Sequence, residues 1–271
     1  MIRWLIELGL LDIVATVYGV LCCVIALAFG IFLTRKMGIK WWRGLVAIAV
    51  SCLALMELNP LLFWIERGFE GELTGGSLTR SFTVLPLILL PLCLIIRLRA
   101  DKGFDLVAVT FMLFQAFVHP ACMFQGCCRG FPMASGGGVF NPFIEEYLFP
   151  VQLFDGITAF LIFLLMLTLL RWRKYDGRGI FYPILLIAHG LERLFWDFFR
   201  DTTRTYLNLT PVQFWAIGSI IMGAVWLSIL KRREISAWFS EIKKRIAGKK
   251  AENAQPPRHH KKKKNKKKKK R

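Results

Sequence analysis

Long apolar runs separated by short charged segments are the feature that most limits what this chain can fold into. A helix needs about 20 mostly apolar residues to cross a hydrocarbon core of about 30 Å, and such runs recur up to residue 230. The sequence therefore predicts an all-α polytopic membrane protein with about seven transmembrane helices. The predicted spans are 12–34, 44–65, 81–96, 104–124, 151–170, 179–199 and 211–230. In the third and shortest span, Pro86 and Pro91 predict a kink or a partly re-entrant path.

The distribution of charge orients these spans. The loops 35–43, 97–103 and 171–178 are rich in Lys and Arg, whereas the alternate loops carry glutamates and few basic residues. The positive-inside rule makes the basic loops cytoplasmic. The N-terminus is then expected outside and the C-terminus in the cytoplasm. Because the first apolar run lacks a small-residue cleavage pattern, we expect it to remain as a span and not to be a cleavable signal peptide.

A basic tail follows the nearly neutral body of the chain. Residues 231–271 hold 19 of the 37 Lys and Arg residues. We interpret 1–230 as the transmembrane domain, 231–248 as a juxtamembrane basic amphipathic segment and 249–271 as a disordered, Lys-rich cytoplasmic tail. The tail is expected to be attracted to anionic lipid headgroups; a solvated charge run, or one that touches RNA non-specifically, is the alternative. This layout excludes an ordinary soluble enzyme and a domain that binds specific nucleic acid.

Polar side chains inside the spans are the functional candidates, since an Arg or Asp at a helix centre costs about 2.5–3.5 kcal/mol. In the second span these are Glu57 and Asn59, which either line a cavity or hydrogen-bond between helices. The fourth span ends with His119 and Gln125. The sixth carries a stripe at spacings of four, four and three residues, which places its members on one helix face: His189, Arg193, Asp197 and Arg200.

The stripe in the sixth span is expected to face a polar cavity. One interpretation is a self-neutralising structural network, in which Asp197 pairs with Arg193 and with Arg200. The other is a phosphate site, which the surplus of positive charge favours because arginine suits bidentate phosphate recognition. A phospholipid headgroup is the phosphate available at this depth. The stripe therefore favours a phospholipid site.

Three cysteines cluster where the fourth span meets its outer loop: Cys122, Cys127 and Cys128. The C-x4-C-C spacing lacks the C-x2-C pairs of structural zinc sites. We therefore predict no metal and no cofactor, with a zinc site completed by His119, or a disulfide within the cluster, as alternatives.

Four motifs in order resemble the prolipoprotein diacylglyceryl transferase family of bacteria. The segment 122–130, C-M-F-Q-G-C-C-R-G, resembles the signature G-R-x-G-[CN]-F-x-x-G-x-x-x-G, closest to divergent members that read G-C-C-x-G. The segment 150–155 resembles H-P-x-Q-L-Y-E, and 189–200 resembles Y-G-x-x-R-x-x-x-E-F-x-R. Leu209-Thr210-x-x-Gln213 resembles L-T-x-x-Q. The order, the spacing and the seven-span topology agree over about 110–230.

The resemblance implies an activity. The family moves a diacylglyceryl group from phosphatidylglycerol to the lipobox cysteine thiol of a prolipoprotein signal peptide, and glycerol phosphate leaves. The thiol needs a base or a positive field to become a thiolate, and the departing phosphate needs cations. The implied location is the bacterial plasma (inner) membrane, with the active site toward the outer face.

The resemblance also implies roles for single residues. Arg193 would bind the phosphate, Asp197 would orient that arginine, and Arg200 matches the family's outer arginine. The resemblance gives Gln125, Gly126, Gly130, Gln152 and His189 as substrate-binding candidates, and the polar residues of the second span, Glu57 and Asn59, complete the set.

Three positions depart from the family pattern. His119 stands where the signature has arginine, His189 replaces a tyrosine, and Cys122 replaces an asparagine. The family's H-G-G loop is echoed only by Gly75-Gly76, without the histidine. His119 would act either as the thiol base, when neutral, or as a substitute cation, when protonated.

Two alternatives to this activity are a family member with another lipid donor or acceptor, and a non-catalytic protein that binds phospholipid.

Overall fold

The computed structural model describes residues 10–66, 68–70, 77–125, 127–134, 137–141, 145–204 and 206–232, without the side chains of 10–12, 124 and 125. Apart from Lys231 and Arg232, the predicted basic segment 231–248 and the Lys-rich tail 249–271 lie outside the described residues. The same holds for the Gly75-Gly76 pair and for Gly126.

Eight α-helices cover most of the described chain, and they follow the predicted spans closely. They are α1 Leu10–Lys36, α2 Trp41–Glu66, α3 Leu78–Val84, α4 Pro86–Ile95, α5 Ala100–Gln125, α6 Val151–Trp172, α7 Phe181–Trp196 and α8 Pro211–Leu230. The all-α class of the fold is confirmed.

Five of these helices are long and apolar enough to cross a bilayer: α1, α2, α5, α6 and α8. The pair α3 and α4 meets at a bend of 46° and can count as a sixth span. The bend lies at Leu85–Pro86, where the proline ring disfavours a continuous helix, as the sequence predicts. α7 has only 16 residues and carries the charged stripe. The seventh crossing and the orientation of the termini therefore stay predictions.

The α5 helix forms the centre of the bundle and packs against α1, α6 and α7. Of its most apolar stretch, 67% is buried within the protein, against 22–33% for the other four long helices. The other helices therefore turn apolar side chains outward, as a lipid-facing surface requires. The buried core along α5 includes Leu106, Val109 and Met112.

A carboxylate on α5 fixes the start of α7. Asp105 is fully buried and accepts hydrogen bonds from the backbone N–H groups of Gly179, at 2.8 Å, and Phe181, at 2.7 Å. These donors lie at the N-terminus of α7, where helical N–H groups lack partners within the helix. The contact therefore anchors α7, and with it the charged stripe, against the central helix.

A small β-hairpin interrupts the helices between α5 and α6. Its strands are β1 Val139–Asn141 and β2 Glu146–Leu148, which pair antiparallel. After the hairpin, the ring of Phe149 stacks against Phe131, at 5.5 Å between centroids, and against Phe199, at 5.2 Å, while Phe131 and Phe199 lie 6.3 Å from each other. This stack holds the loop after α5 against the segment that follows α7.

Candidate functional site

Asp155 on α6 contacts polar side chains of α5, of α7 and of the segment that follows α7. Its side chain is fully buried, and Oδ2 accepts hydrogen bonds from Arg193 Nη1, at 3.1 Å, and from Arg200 Nη2. His119 Nδ1 lies 3.5 Å from the same oxygen. Three of the four predicted catalytic residues therefore converge on one carboxylate that the candidate residues did not include.

A glycine makes this convergence possible. A Cβ atom on Gly156 would lie 2.9 Å from the backbone oxygen of Ala116 and 2.9 Å from the ring of Pro120. These are positions on α5, so the absence of a side chain lets α6 approach α5 at backbone contact distance. Asp155, the preceding residue, is thereby brought to His119.

Asp197 provides the second carboxylate of the cluster. Its Oδ1 lies 2.8 Å from Arg193 Nη2 and 3.2 Å from Arg200 Nε. Together with Asp155, it balances the formal charge of both arginines. Asp155 on α6 therefore offsets the surplus of positive charge in the stripe. The pairs of Asp197 with Arg193 and with Arg200 are the ones that the interpretation as a self-neutralising network predicts.

The L-T-x-x-Q motif is a helix cap that also supports Asp197. The Thr210 N–H donates to Gln213 Oε1 at 2.9 Å, and the Gln213 N–H donates to Thr210 Oγ1 at 3.1 Å. This reciprocal pair is a capping box at the start of α8. The Thr210 hydroxyl in turn donates to Asp197 Oδ2 at 2.5 Å. The motif thus ties the end of the charged stripe to the next helix.

His189 belongs to a second buried polar group. Its Nε2 lies 3.1 Å from Thr79 Oγ1, and its Nδ1 lies 2.9 Å from Gln115 Nε2 and 3.1 Å from Glu192 Oε2. Gln115 Nε2 also donates to Glu192 Oε2 at 3.0 Å. His189 is therefore held by three helices, on the same stripe as Arg193 but away from Asp155.

Arg80 is a cation that the sequence analysis did not consider. It lies on α3 with 2% exposure, 3.1 Å from Glu66 Oε2 and 5.0 Å from the centre of the Phe63 ring. Glu66 also accepts a hydrogen bond from Trp215 Nε1. Arg80 Nε and Nη1 have no hydrogen-bond partner among the described residues. The apolar run that predicts the third span starts only at residue 81, so the sequence places Arg80 in the preceding loop.

These groups surround one cavity of about 710 Å³. Apolar side chains of α2 and α5, such as Met56 and Phe114, line it together with the polar groups. Asn59 is part of the lining, whereas Glu57 is exposed and lies outside it. The polar and charged lining residues include Thr79, Arg80, His119, His189, Arg193, Asp197 and Arg200.

The loop after α5 closes against the cavity. Gln152 Nε2 donates to the backbone oxygen of Cys127 at 2.9 Å, so Gln152 holds the loop and does not line the cavity. Gly130 pairs with Arg200 in a β-bridge, and a Cβ there would lie 2.1 Å from the backbone oxygen of Phe149. Only glycine fits this approach. The Gln125 side chain and Gly126 lie outside the described residues.

The fold and the cavity define a polytopic membrane protein with a buried, charge-balanced site between apolar helices. A profile described as "Prolipoprotein diacylglyceryl transferase" matches residues 83–229. This is more than half of the chain, and the chain belongs to that family, as the four motifs predict. A relative named phosphatidylglycerol–prolipoprotein diacylglyceryl transferase, from Clostridium tetani, is 30% identical over 141 residues. The alignment covers 49% of this chain and 55% of the relative, so the chain spans about half the length of the curated relative it matches.

Proposed function

We propose that this protein transfers a diacylglyceryl group from phosphatidylglycerol to the lipobox cysteine thiol of a prolipoprotein signal peptide, with release of glycerol phosphate. We further propose that it does so in the bacterial plasma membrane, with its site toward the outer face. The basic loops and the Lys-rich tail would then contact the anionic cytoplasmic surface.

Arginine N–H groups without a hydrogen-bond partner among the described residues lie beside the cavity, and they are the main support for this proposal. Arg80 Nε and Nη1 and Arg193 Nε donate to no atom of the described residues. A buried donor without an acceptor is costly, and a phosphate oxygen is the acceptor that a guanidinium prefers. Arg80 supplies a cation in a cavity whose signature arginine is replaced by His119.

The ion pairs of the other two arginines suit the same role. Asp155 and Asp197 fix the two guanidinium groups from two sides. Held in this way, the arginines need no reorganisation when charge develops on a leaving phosphate, which is the condition for effective electrostatic stabilisation. The carboxylates also keep the buried site near neutrality before a lipid enters.

The reaction breaks one bond and forms one. The acceptor thiolate attacks the glyceryl carbon that carries the phosphate, the carbon–sulfur bond forms, and the carbon–oxygen bond breaks. Glycerol phosphate departs with the electron pair, and the arginines stabilise its charge. The proton of the thiol must be removed, because a free thiol has a pKa near 8.5.

We propose that His119 is the base that removes the proton of the acceptor thiol. Its imidazole lines the cavity, and its Nδ1 lies 3.5 Å from Asp155 Oδ2. A carboxylate beside a histidine orients the ring and stabilises the imidazolium that forms when the histidine accepts a proton. With Arg80 present as the additional cation, His119 serves as the base. The variant His119→Arg is then expected to lose activity, whereas a rise in activity would make His119 a substitute cation.

The experiment is a coupled assay with the full chain purified in detergent. Phosphatidylglycerol and a lipobox peptide are supplied, and glycerol phosphate release and the mass gain of the peptide are followed together. Wild-type protein should produce both in equal amounts, and Arg193→Ala should abolish both while the protein stays folded. The control is Arg178→Ala, which removes an exposed arginine from the loop between α6 and α7. Full activity in Arg193→Ala would refute the phosphate role.

A further inference from the structure

Three thiol groups meet at the wall of the cavity. Cys122 lies in the last turns of α5, and Cys127 and Cys128 lie in the loop that follows. The three Sγ atoms lie within 4.8 Å of one another, and no disulfide joins any of the seven cysteines, all of which are described. Cys122 and Cys128 also line the cavity.

The backbone of the loop is held so that the thiols converge. Cys128 has a φ of 55°, in the left-handed region that residues other than glycine rarely adopt. The carbonyl of Cys127 accepts from Gln152 Nε2 at 2.9 Å, and that of Cys128 accepts from Arg200 Nη1 at 3.3 Å. The loop is thus held from α6 and from the segment that follows α7, and these contacts fix the positions of the three thiols.

The spacing of the sulfur atoms suits one kind of ligand. Thiolates bound to Zn²⁺ at about 2.3 Å in a tetrahedron lie about 3.8 Å apart. The thiols here would each need to move by no more than about 1 Å to reach that arrangement. A disulfide would use two of the three sulfur atoms and leave the third without a role, so the convergence of all three favours a metal ion.

Positive charge lies beside the thiols. The guanidinium of Arg200 is held at this loop, since its Nη1 donates to the backbone oxygen of Cys128 at 3.3 Å. Three thiolates with Zn²⁺ carry a single net negative charge, and the guanidinium of Arg200 attenuates it even though Asp155 and Asp197 already pair with this arginine. A monovalent ion such as Cu⁺ would leave two negative charges, so Zn²⁺ is the better match.

We propose that Cys122, Cys127 and Cys128 bind a zinc ion through their three sulfur atoms, with the fourth coordination position open to the cavity. Three protein ligands and an open position are the pattern of catalytic zinc sites, as opposed to closed structural ones. The C-x4-C-C spacing did not predict this site, because the sequence does not show that the loop folds back over the end of α5.

The open coordination position of the zinc ion would bind the acceptor thiol, a step that rests on the proposed function. An acceptor thiol that binds there loses its proton, since a thiol that coordinates zinc is deprotonated outright. The zinc-bound thiolate then attacks the glyceryl carbon, the carbon–sulfur bond forms, and the carbon–oxygen bond breaks as before. The proton passes to His119, which lies one helical turn before Cys122.

The first test needs neither lipid nor peptide, so it can fail independently of the proposed transfer. The full chain is purified in detergent without chelators, and its zinc content is measured by inductively coupled plasma mass spectrometry. We expect stoichiometric zinc in the wild type, and at least a tenfold loss in Cys128→Ser and in Cys122→Ser. The matched control, Cys52→Ser, changes a cavity-lining cysteine outside the cluster and should keep its zinc.

Cobalt substitution tests the ligands directly. Protein loaded with Co²⁺ should show thiolate-to-metal charge-transfer absorption, which is lost in Cys128→Ser. A wild type that binds neither metal, or a Cys128→Ser variant that binds both as well as the wild type, overturns the proposal. An intact mass after alkylation that reveals two oxidised cysteines in the cluster overturns it in favour of a disulfide.

The open position is tested by adding the lipobox peptide to the Co²⁺ form. Coordination of a fourth thiolate should increase the charge-transfer absorption, and a peptide with serine in place of the lipobox cysteine should not. An unchanged spectrum with the cysteine peptide refutes the open position for the acceptor. If the spectrum changes but the zinc form transfers no lipid, the zinc site stands and the proposed function fails.

Discussion

Replacing Asp155 by asparagine removes the carboxylate on which the site is built. The change keeps the size of the side chain and takes away the charge that faces Arg193 and Arg200. Arg193 retains Asp197, but the two arginines then share a single buried carboxylate. Because all of these side chains are buried, solvent cannot compensate for the missing charge.

The expected effect on stability is large. Removing one partner of a buried ion pair costs about 3–5 kcal/mol. For a protein of about 150–250 residues each 1 kcal/mol shifts the midpoint of thermal unfolding by about 2–4 °C. Asp155→Asn should therefore lower the midpoint in detergent by about 6–20 °C. The fluorescence of a thiol-reactive dye, which reports the exposure of buried cysteines such as Cys93, can follow the unfolding.

A matched control separates burial from loss of charge. Asp176→Asn removes an aspartate from an ion pair with Arg178 in which the side chains of Arg178 and Asp176 are 69% and 45% exposed. Exposed pairs contribute about 0–1 kcal/mol, so this variant should unfold close to the wild type. The double variant Asp155→Asn with Arg200→Gln should be less destabilised than the two single changes added together, because the residues are in contact. An Asp155→Asn midpoint equal to that of Asp176→Asn would show that the buried ion pairs of Asp155 do not stabilise the fold.

Three further predictions concern Arg80, Cys128 and Gly130. Arg80→Ala should reduce kcat/KM about 10- to 100-fold, the effect of losing one charged hydrogen bond, while Arg178→Ala has no effect; equal rates would exclude Arg80 from the phosphate site. In chelator-treated protein, Cys128 should be alkylated by iodoacetamide at lower pH than an ordinary thiol, because its lowered pKa keeps the thiolate present as the pH falls; mass spectrometry of the labelled peptides would show it, and a normal pH profile would contradict it. Gly130→Ala should displace the loop from Phe149, since its Cβ would lie 2.1 Å from that backbone oxygen, and should lower both the unfolding midpoint and the zinc content; wild-type values would contradict the close contact.

The helices could be predicted from the sequence because the thickness of a bilayer sets the length of an apolar run. Predicted and observed ends of α6 and α8 differ by no more than two residues, and the bend before Pro86 lies where the proline requires it. The spacing of the stripe also placed His189, Arg193 and Asp197 on one face, because helical periodicity is a local property.

The partners of that stripe could not be predicted in the same way. Asp155 and Arg80 come from α6 and α3, and their approach depends on tertiary packing, such as the contact that Gly156 permits. The Q-L-F-D motif did contain a signal, since a carboxylate within an apolar helix is expensive. The hairpin and the convergence of the thiols depend on the path of a loop, for which hydropathy offers no pattern.

The proposed function requires a thiol to attack the glyceryl carbon of phosphatidylglycerol, and an oxygen label reveals whether this carbon is the point of attack. The donor is synthesised with ¹⁸O in the bridging position between that carbon and phosphorus, and wild-type protein is incubated with it and the lipobox peptide. We expect the released glycerol phosphate to carry the label and the peptide to gain the mass of the diacylglyceryl group. A label retained in diacylglycerol, with an unmodified peptide, would mean that the phosphorus–oxygen bond breaks and that the thiol does not attack carbon.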